Sequence, residues 1–219
     1  MTNLLAITIA NDQNPPIANP KRARPKRKIP SVVNYPGWSG GKLNSTFMEI
    51  AKTLVVERGD NVAKTFIERG YDPAQEVQKH VEADLVILQT PVNWFSAPWI
   101  YKKYVDEVFN FGLANKALLD GDGRTREDPR RQYGTGGKMQ GEKFMISATW
   151  NAPKETFSNP DSVPYQGKGT DDLFLPITSN YKFVGHEIQP DFGVFDIFKN
   201  PDIPRAIEEY RQHLIKYCQ

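Results

Sequence analysis

The sequence contains one cysteine and three histidines. Cys218, the penultimate of 219 residues, is the only cysteine, which excludes an intramolecular disulfide and a cysteine-based metal site. This usage fits the reducing cytoplasm, where we expect the protein to be. The histidines His80, His186 and His213 follow no metal-ligand spacing. We therefore expect no metal centre, and we expect His80 and His213 at helix surfaces and His186 in a structural role.

Long apolar runs are absent as well. No stretch approaches the ~20 residues that cross a bilayer, so we expect no membrane span. The short apolar segment Leu4–Ala10 has no basic residue before it and several after it, which is the reverse of a secretory signal. With 39% hydrophobic and 25% charged residues, the composition is that of one ordinary globular domain.

Acidic residues are scarce in the first 30 residues. Asp12 is the only one there, against six Lys and Arg, whereas the rest of the chain has 22 basic and 25 acidic residues. Residues 11–30 also contain five prolines. We therefore predict a basic, proline-rich extension at residues 1–28 and a folded domain at residues 29–219. Nucleic-acid binding by the extension is not favoured, because no aromatic residue interleaves its charges to stack on bases.

Beyond the extension, short apolar segments alternate with segments of helical periodicity, which indicates an α/β domain. Two segments compete for the first strand, Leu4–Ala10 and Ile29–Asn34, and we favour the second because it leads directly into a glycine-rich turn. The other strands are predicted at Val62–Ile67, Leu85–Leu88 and Phe144–Ala148, and within His186–Phe195. Together they predict a flavodoxin-like five-stranded parallel sheet with helices on both faces and a ligand crevice at its carboxyl edge.

Four helices are predicted from apolar residues three or four positions apart. The third follows Ser96, which we expect to be its N-cap. The inward faces are predicted to be Leu43, Phe47, Ile50, Ala51 and Leu54; Val77 and Val81; Tyr101, Tyr104, Val105 and Val108; and Ile203, Ile207, Tyr210, Leu214 and Tyr217.

Small and hydroxyl residues lead into the first predicted helix. Backbone N–H groups at such a helix start bind phosphate, although a plain helix cap has the same composition. The segment matches neither the dinucleotide fingerprint nor a P-loop. Its residues are Ser39, Gly40, Gly41, Lys42, Leu43, Asn44, Ser45 and Thr46.

Two further loops follow the third and fourth strands of the predicted crevice. Bulky rings in a loop meet water unless a flat ligand covers them, although burial in the core is the alternative. With the phosphate loop, the aromatic walls and polar edge predict a flavin nucleotide pocket. The two loops contain Pro91, Val92, Asn93, Trp94 and Phe95, and Thr149, Trp150, Asn151 and Ala152.

A long segment, residues 112–141, has little predicted structure. Such segments are often functional lids, and Tyr133 within it could cover or polarise the edge of the ring, which makes it our candidate catalytic residue.

Five segments carry a resemblance, of which the Asp-Gly-Arg-Thr-Arg and Thr-Trp-Asn-Ala-Pro pieces are specific: Pro98-Trp99, Lys102-Lys103-Tyr104-Val105-Asp106-Glu107-Val108-Phe109, Asp122-Gly123-Arg124-Thr125-Arg126-Glu127-Asp128-Pro129, Tyr133-Gly134-Thr135-Gly136-Gly137 and Thr149-Trp150-Asn151-Ala152-Pro153. They closely resemble the modulator of drug activity B family over about residues 34–217. Members of that family are flavodoxin-like NADPH:quinone oxidoreductases that bind FAD and form dimers. The resemblance therefore implies FAD as cofactor, NADPH as hydride donor and a quinone as substrate.

The resemblance also implies residue roles. Residues 39–46 would hold the FAD pyrophosphate, residues 91–95 and 149–152 the isoalloxazine, and Tyr133 would contact the cofactor. Hydride would pass from NADPH through flavin N5 to the quinone in a ping-pong exchange. The chain departs from the family pattern in its N-terminal extension and in Asn93, where bacterial members often carry a bulky aromatic. This departure leaves the width of the substrate slot open.

A flavin at the sheet edge leaves one ring face uncovered by its own chain. We therefore expect a homodimer with two sites at the interface, using the apolar segment Phe109–Leu119, whereas a monomer would close its site with the loop that carries Tyr133. Two functions of other classes stay open: a flavodoxin-like electron carrier, and a nucleic-acid or partner-binding module that acts through the basic extension.

Overall fold

The computed structural model describes the strand path of residues 4–8 and the structure of residues 42–218. Its strands are β1 (Leu4–Thr8), β2 (Val62–Phe66), β3 (Leu85–Pro91), β4 (Lys143–Thr149), β5 (Glu187–Ile188) and β6 (Phe192–Val194). Its helices are α1 (Lys42–Glu57), α2 (Pro73–Glu82), α3 (Trp99–Ala114), α4 (Thr170–Val184) and α5 (Ile203–Tyr217). Within these described ranges, no helix has the length and apolar character needed to cross a membrane.

The strands form one parallel sheet in the order β2-β1-β3-β4-β5, with β6 also paired to β4. This order confirms the predicted flavodoxin-like α/β fold. The predicted fifth strand is divided into two short strands, because β5 pairs with the beginning of β4 and β6 with its end. Pro190 lies between them and cannot donate a backbone hydrogen bond to a sheet.

The preference for Ile29–Asn34 as the first strand is wrong. β1 lies between β2 and β3, with Leu4 paired to both Val62 and Leu85. The short apolar run at Leu4–Thr8 suits a strand that has parallel neighbours on both sides. Ile29–Asn34 was preferred only because it precedes a glycine-rich turn. Residues 1–28 are therefore not wholly an extension. Ile29–Asn34 and the boundary at residue 28 lie outside the described residues, where the division stays a prediction.

Two apolar cores lie on opposite faces of the sheet. Alternate strand residues face each core: Val86 and Leu88 face one, Leu85 and Ile87 the other. Helices α2, α3 and α4 pack on the first face, and α1 and α5 on the second. The expected placement of helices on both faces is confirmed.

The helix faces agree with the predicted periodicity except at a few positions. The whole predicted face of α3 is buried, whereas Val81 is 43% exposed. His80, predicted at a surface, is fully buried and takes the inward position one turn after Val77. In α1, Asn44 and Val55 are buried, whereas the predicted Leu43 and Leu54 are only half-buried. Ser96 is not a cap, because α3 begins at Trp99 after Pro98.

Candidate functional site

A buried polar chain joins the start of α1 to the carboxyl ends of β3 and β4. The Asn44 amide donates to Thr149 Oγ1 over 3.0 Å, and the Gln89 amide donates to Asn44 Oδ1 over 2.9 Å. All three side chains are buried. Buried polar groups of this kind fix geometry because losing one partner leaves another unsatisfied. The chain therefore holds the start of α1 against the edge where the sheet can bind a ligand.

The first turn of α1 is suited to an anion. Its leading backbone N–H groups have no partner within the helix, it contains no acidic residue, and Lys42 begins it. The Thr46 hydroxyl donates a hydrogen bond to the Lys42 carbonyl within the helix, over 2.9 Å. The predicted phosphate residues Ser39, Gly40 and Gly41 lie outside the described residues.

The aromatic loop after β3 is a tight reversal with an unusual sequence. Asn93 and Ser96 exchange backbone hydrogen bonds of 2.8 and 3.2 Å around a two-residue turn. Trp94 has φ of 47° and Phe95 φ of 70°. Both central residues of a type I′ turn need positive φ, for which Asn and Gly are preferred. Bulky residues in this conformation cost about 1–3 kcal/mol each and persist mainly at functional sites.

The strained turn holds its rings away from the core. Trp94 is 92% exposed and Phe95 50% exposed. The alternative interpretation of Trp94 as a core residue is therefore wrong. Pro91, Val92 and Asn93 are half-buried beside them, and the Val92 N–H donates to the Thr149 carbonyl over 3.0 Å.

The loop after β4 contributes less to the edge than predicted. Trp150 is 1% exposed and packs against Phe157 and Phe174, so its ring belongs to the core and cannot form a wall of the site. Asn151 is exposed at the edge, whereas the half-buried Ala152 accepts a backbone hydrogen bond from Asp196.

Tyr133 lies at the opposite edge of the sheet. Its ring is 65% exposed and packs 5.1 Å from Phe183, in the last turn of α4. The neighbouring Met139 N–H donates to the Val184 carbonyl, directly before β4 begins. Because α4 runs antiparallel to the strands and its 15 residues span about 22 Å, its last turn lies away from the carboxyl edge. The Tyr133 ring is therefore not placed over the carboxyl edge of its own chain, and its predicted contact with the cofactor stays a prediction.

The loop that contacts the aromatic turn was not predicted from the sequence. The loop of residues 154–169, between β4 and α4, reaches the aromatic turn, because Tyr165 is only 6% exposed and meets the Phe95 ring edge-on at 5.9 Å. The segment is rich in Asn, Asp, Pro and Gly, which is typical of any loop, so its composition gave no signal of this contact.

A second buried polar cluster lies between α2, α3 and β2. The Glu76 carboxylate accepts hydrogen bonds from Thr65 over 2.6 Å and from Tyr104 over 3.0 Å, and Tyr104 lies 3.2 Å from His80 Nε2. Burial raises the pKa of Tyr104 and lowers the pKa of His80. In residues 42–218 no three His, Cys, Asp or Glu side chains are grouped to hold a metal ion. We interpret this cluster as structural.

Comparison with known proteins places the chain in a family. Residues 41–217 match the family described as the flavodoxin-like fold. NADPH:quinone oxidoreductase MdaB of Haemophilus influenzae is 39% identical over 180 residues, which cover 82% of this chain and 92% of that protein. The chain belongs to the modulator of drug activity B family. An uncharacterized protein of Schizosaccharomyces pombe is 37% identical over 80% of this chain and 88% of its own length.

Solved structures of more distant proteins share the fold. A candidate quinone reductase from Klebsiella pneumoniae has a TM-score of 0.70 at 19% identity and covers 100% of this chain and 86% of its own. General stress protein 14 from Treponema denticola, solved in complex with FMN, has a TM-score of 0.55 at 15% identity, with coverage of 99% and 95%. These similarities concern the fold alone.

Proposed function

We propose that this protein is an FAD-dependent NADPH:quinone oxidoreductase. The observation that carries the proposal is the strained Trp94–Phe95 turn, which presents two exposed rings at the carboxyl edge of a flavodoxin-like sheet. The 39% identity to MdaB over most of both chains supports the same activity. An electron carrier would normally show a strongly acidic docking face, whereas residues 31–219 carry 22 basic and 25 acidic residues. The buried Cys218 is consistent with the proposed cytoplasmic location.

The described residues fit a flavin dinucleotide. The start of α1, with Lys42 and no acidic residue in its first turn, would hold the pyrophosphate. A groove of about 550 Å³ continues along α1 between Lys42, Thr46 and Arg211, and it offers room for an adenosine half. FMN has no such half, and FAD is the cofactor that the resemblance to the MdaB family implies.

When bound, FAD would supply hydride transfer at its N5, accepting from NADPH and then donating to a quinone in a ping-pong sequence. The protein would supply orientation. Trp94 and Phe95 would stack on the ring that occupies the slot and exclude water from it, and Asn151 would meet a polar ring edge. Correct placement of two reacting rings accounts for several kcal/mol of a barrier.

We further propose a homodimer. Because the Tyr133 ring packs at the end of α4 that lies away from the carboxyl edge, a contact with the flavin would come more readily from a second copy. Closure of a monomer by its own Tyr133 loop is therefore not favoured. In the predicted contact segment Phe109–Leu119, Phe111 is 37% and Leu113 42% exposed, whereas Leu118 and Leu119 are buried. Sedimentation at micromolar concentration should give about twice the 24.9 kDa chain mass, and an active monomer would contradict the proposal.

The central experiment is spectroscopic. Purified protein should show a flavin absorption band, and mass spectrometry of the released cofactor should identify FAD. Addition of NADPH should bleach the band, and addition of a quinone should restore it. Trp94→Ala should weaken quinone turnover while the fold is kept. If protein saturated with FAD shows neither a band shift nor protection against heat, the proposed function fails.

A further inference from the structure

The loop between β4 and α4 is a compact unit and not an open connection. The Ser158 N–H donates to the Lys168 carbonyl over 2.9 Å, and the Gly167 N–H donates to the Asn159 carbonyl over 2.8 Å. A tight turn at Gln166 and Gly167, both with positive φ, brings the chain back on itself. These bonds fix the position of Tyr165 without any contribution from a ligand.

Tyr165 connects this loop to the core and to the candidate site. On one side its ring stacks on Phe157, with centroids 4.5 Å apart and planes at 19°, and Phe157 packs against Trp150. On the other side it meets the Phe95 ring edge-on, at 5.9 Å and 84°. Tyr165 is 6% exposed, whereas Val163, two residues earlier, is 87% exposed. Among the described residues, Tyr165 is the one aromatic ring paired with Phe95.

The Phe95 backbone needs such support. A turn with Trp94 and Phe95 at positive φ relaxes unless surrounding contacts hold it. The two hydrogen bonds between Asn93 and Ser96 close the turn but do not fix the direction of either ring. An edge-to-face aromatic pair is strong enough to shift an equilibrium between two turn conformations by about threefold to tenfold.

We propose that Tyr165 is a positioning residue that holds the strained Trp94–Phe95 turn in its ring-presenting conformation. The effect on catalysis rests on the proposed quinone reductase function, whereas the effect on the turn does not. Tyr165 acts through its ring packed between Phe157 and Phe95, so its hydroxyl is dispensable. The loop between β4 and α4, and not the segment that carries Tyr133, then shapes the substrate slot beside Trp94 and Phe95 in the same chain.

The test compares Tyr165→Leu with Tyr165→Phe, and Val163→Ala is the control on the same loop. Amide hydrogen exchange at Asn93 and Ser96, followed by NMR, reports on the turn without any cofactor or substrate. Exchange should accelerate by about threefold to tenfold in Tyr165→Leu and stay at the wild-type rate in the other two. In Tyr165→Leu, the KM for a quinone should rise by a similar factor, whereas kcat should change less than twofold.

The outcomes separate the inference from the proposed function. Unchanged exchange at Asn93 and Ser96 in Tyr165→Leu would overturn the positioning role. Faster exchange with an unaltered quinone KM would overturn the link to the slot and leave the activity intact. A wild-type protein without quinone turnover would refute the proposed function, and the exchange rates would still decide whether Tyr165 holds the turn.

Discussion

Stability in acid should depend on His186. Its side chain is buried against Tyr181 and His80, with ring centroids 5.3 and 6.2 Å away, and neither ring nitrogen makes a hydrogen bond of normal geometry within residues 42–218. Burial lowers its pKa from 6.5 to about 4, and the nearby Tyr181 carbonyl offsets this only in part. The folded protein therefore favours the neutral ring.

The sign of the effect follows from proton binding. Between pH 6.5 and about 4 the unfolded chain binds a proton at this residue and the folded chain does not, so stability falls as the pH falls. A difference of about 2.5 pKa units corresponds to roughly 3 kcal/mol in total, of which about 2.5 kcal/mol is lost between pH 7 and pH 4.5. Burial also lowers the pKa of His80, which acts in the same direction.

The assay is urea unfolding of the wild type and His186→Phe at pH 7 and pH 4.5. Phenylalanine keeps the ring packing and cannot titrate, so the variant should lose about 2.5 kcal/mol less than the wild type over this interval. The carboxyls of Glu68 and Glu142, whose pKa burial raises to about 7, are present in both proteins and cancel in the comparison. His186→Leu is the second variant in case the larger phenylalanine strains the core. Parallel losses in all three proteins would refute the reasoning.

Three further perturbations test the site and its support. The double variant Trp94→Asn, Phe95→Gly has the residues that a turn with positive φ prefers, so its free energy of unfolding should rise by about 1 kcal/mol. Its quinone turnover should fall at least tenfold, and unchanged turnover would contradict a role for the rings. Gly137→Ala should destabilise the fold by more than about 2 kcal/mol in thermal unfolding, because its new Cβ would lie 2.2 Å from the Val184 carbonyl carbon. Asn44→Ala should destabilise by about 2 kcal/mol and speed flavin release measured by dialysis, and wild-type retention would remove Asn44 from the site.

Most of the sheet could be predicted from the sequence because buried parallel strands appear as apolar runs. β2, β3 and β4 lie where the runs indicated, and the strand order follows once strands alternate with helices. Helix α4 was not delimited, because Pro176 and a polar loop before it obscure its periodicity. The glycine-rich turn after Ile29–Asn34 was a poor guide to β1, since the position of a strand depends on which segment pairs with distant strands.

The candidate site was predicted in part. The exposed rings of Trp94 and Phe95 follow from their position in a loop, but the positive φ that presents them depends on the turn and its neighbours. Trp150 was assigned to the site because its loop follows β4, but its ring is buried in the core. Tyr133 was assigned because it lies in a long segment with little predicted structure, and its ring packs at the far end of α4. Tyr165 was missed because its importance arises from a contact with a residue 70 positions earlier.

The central place of β1 makes the domain vulnerable at its very beginning. Leu4 pairs with Leu85, 81 positions later, so β1 cannot take its place in the sheet until β3 has been synthesised. Proteolytic trimming past Thr8, or translation from a later start, would remove an interior strand and leave β2 and β3 each with an unpaired edge. Open edges of this kind recruit strands from other molecules. A chain that lost its first eight residues should therefore aggregate instead of forming a smaller domain.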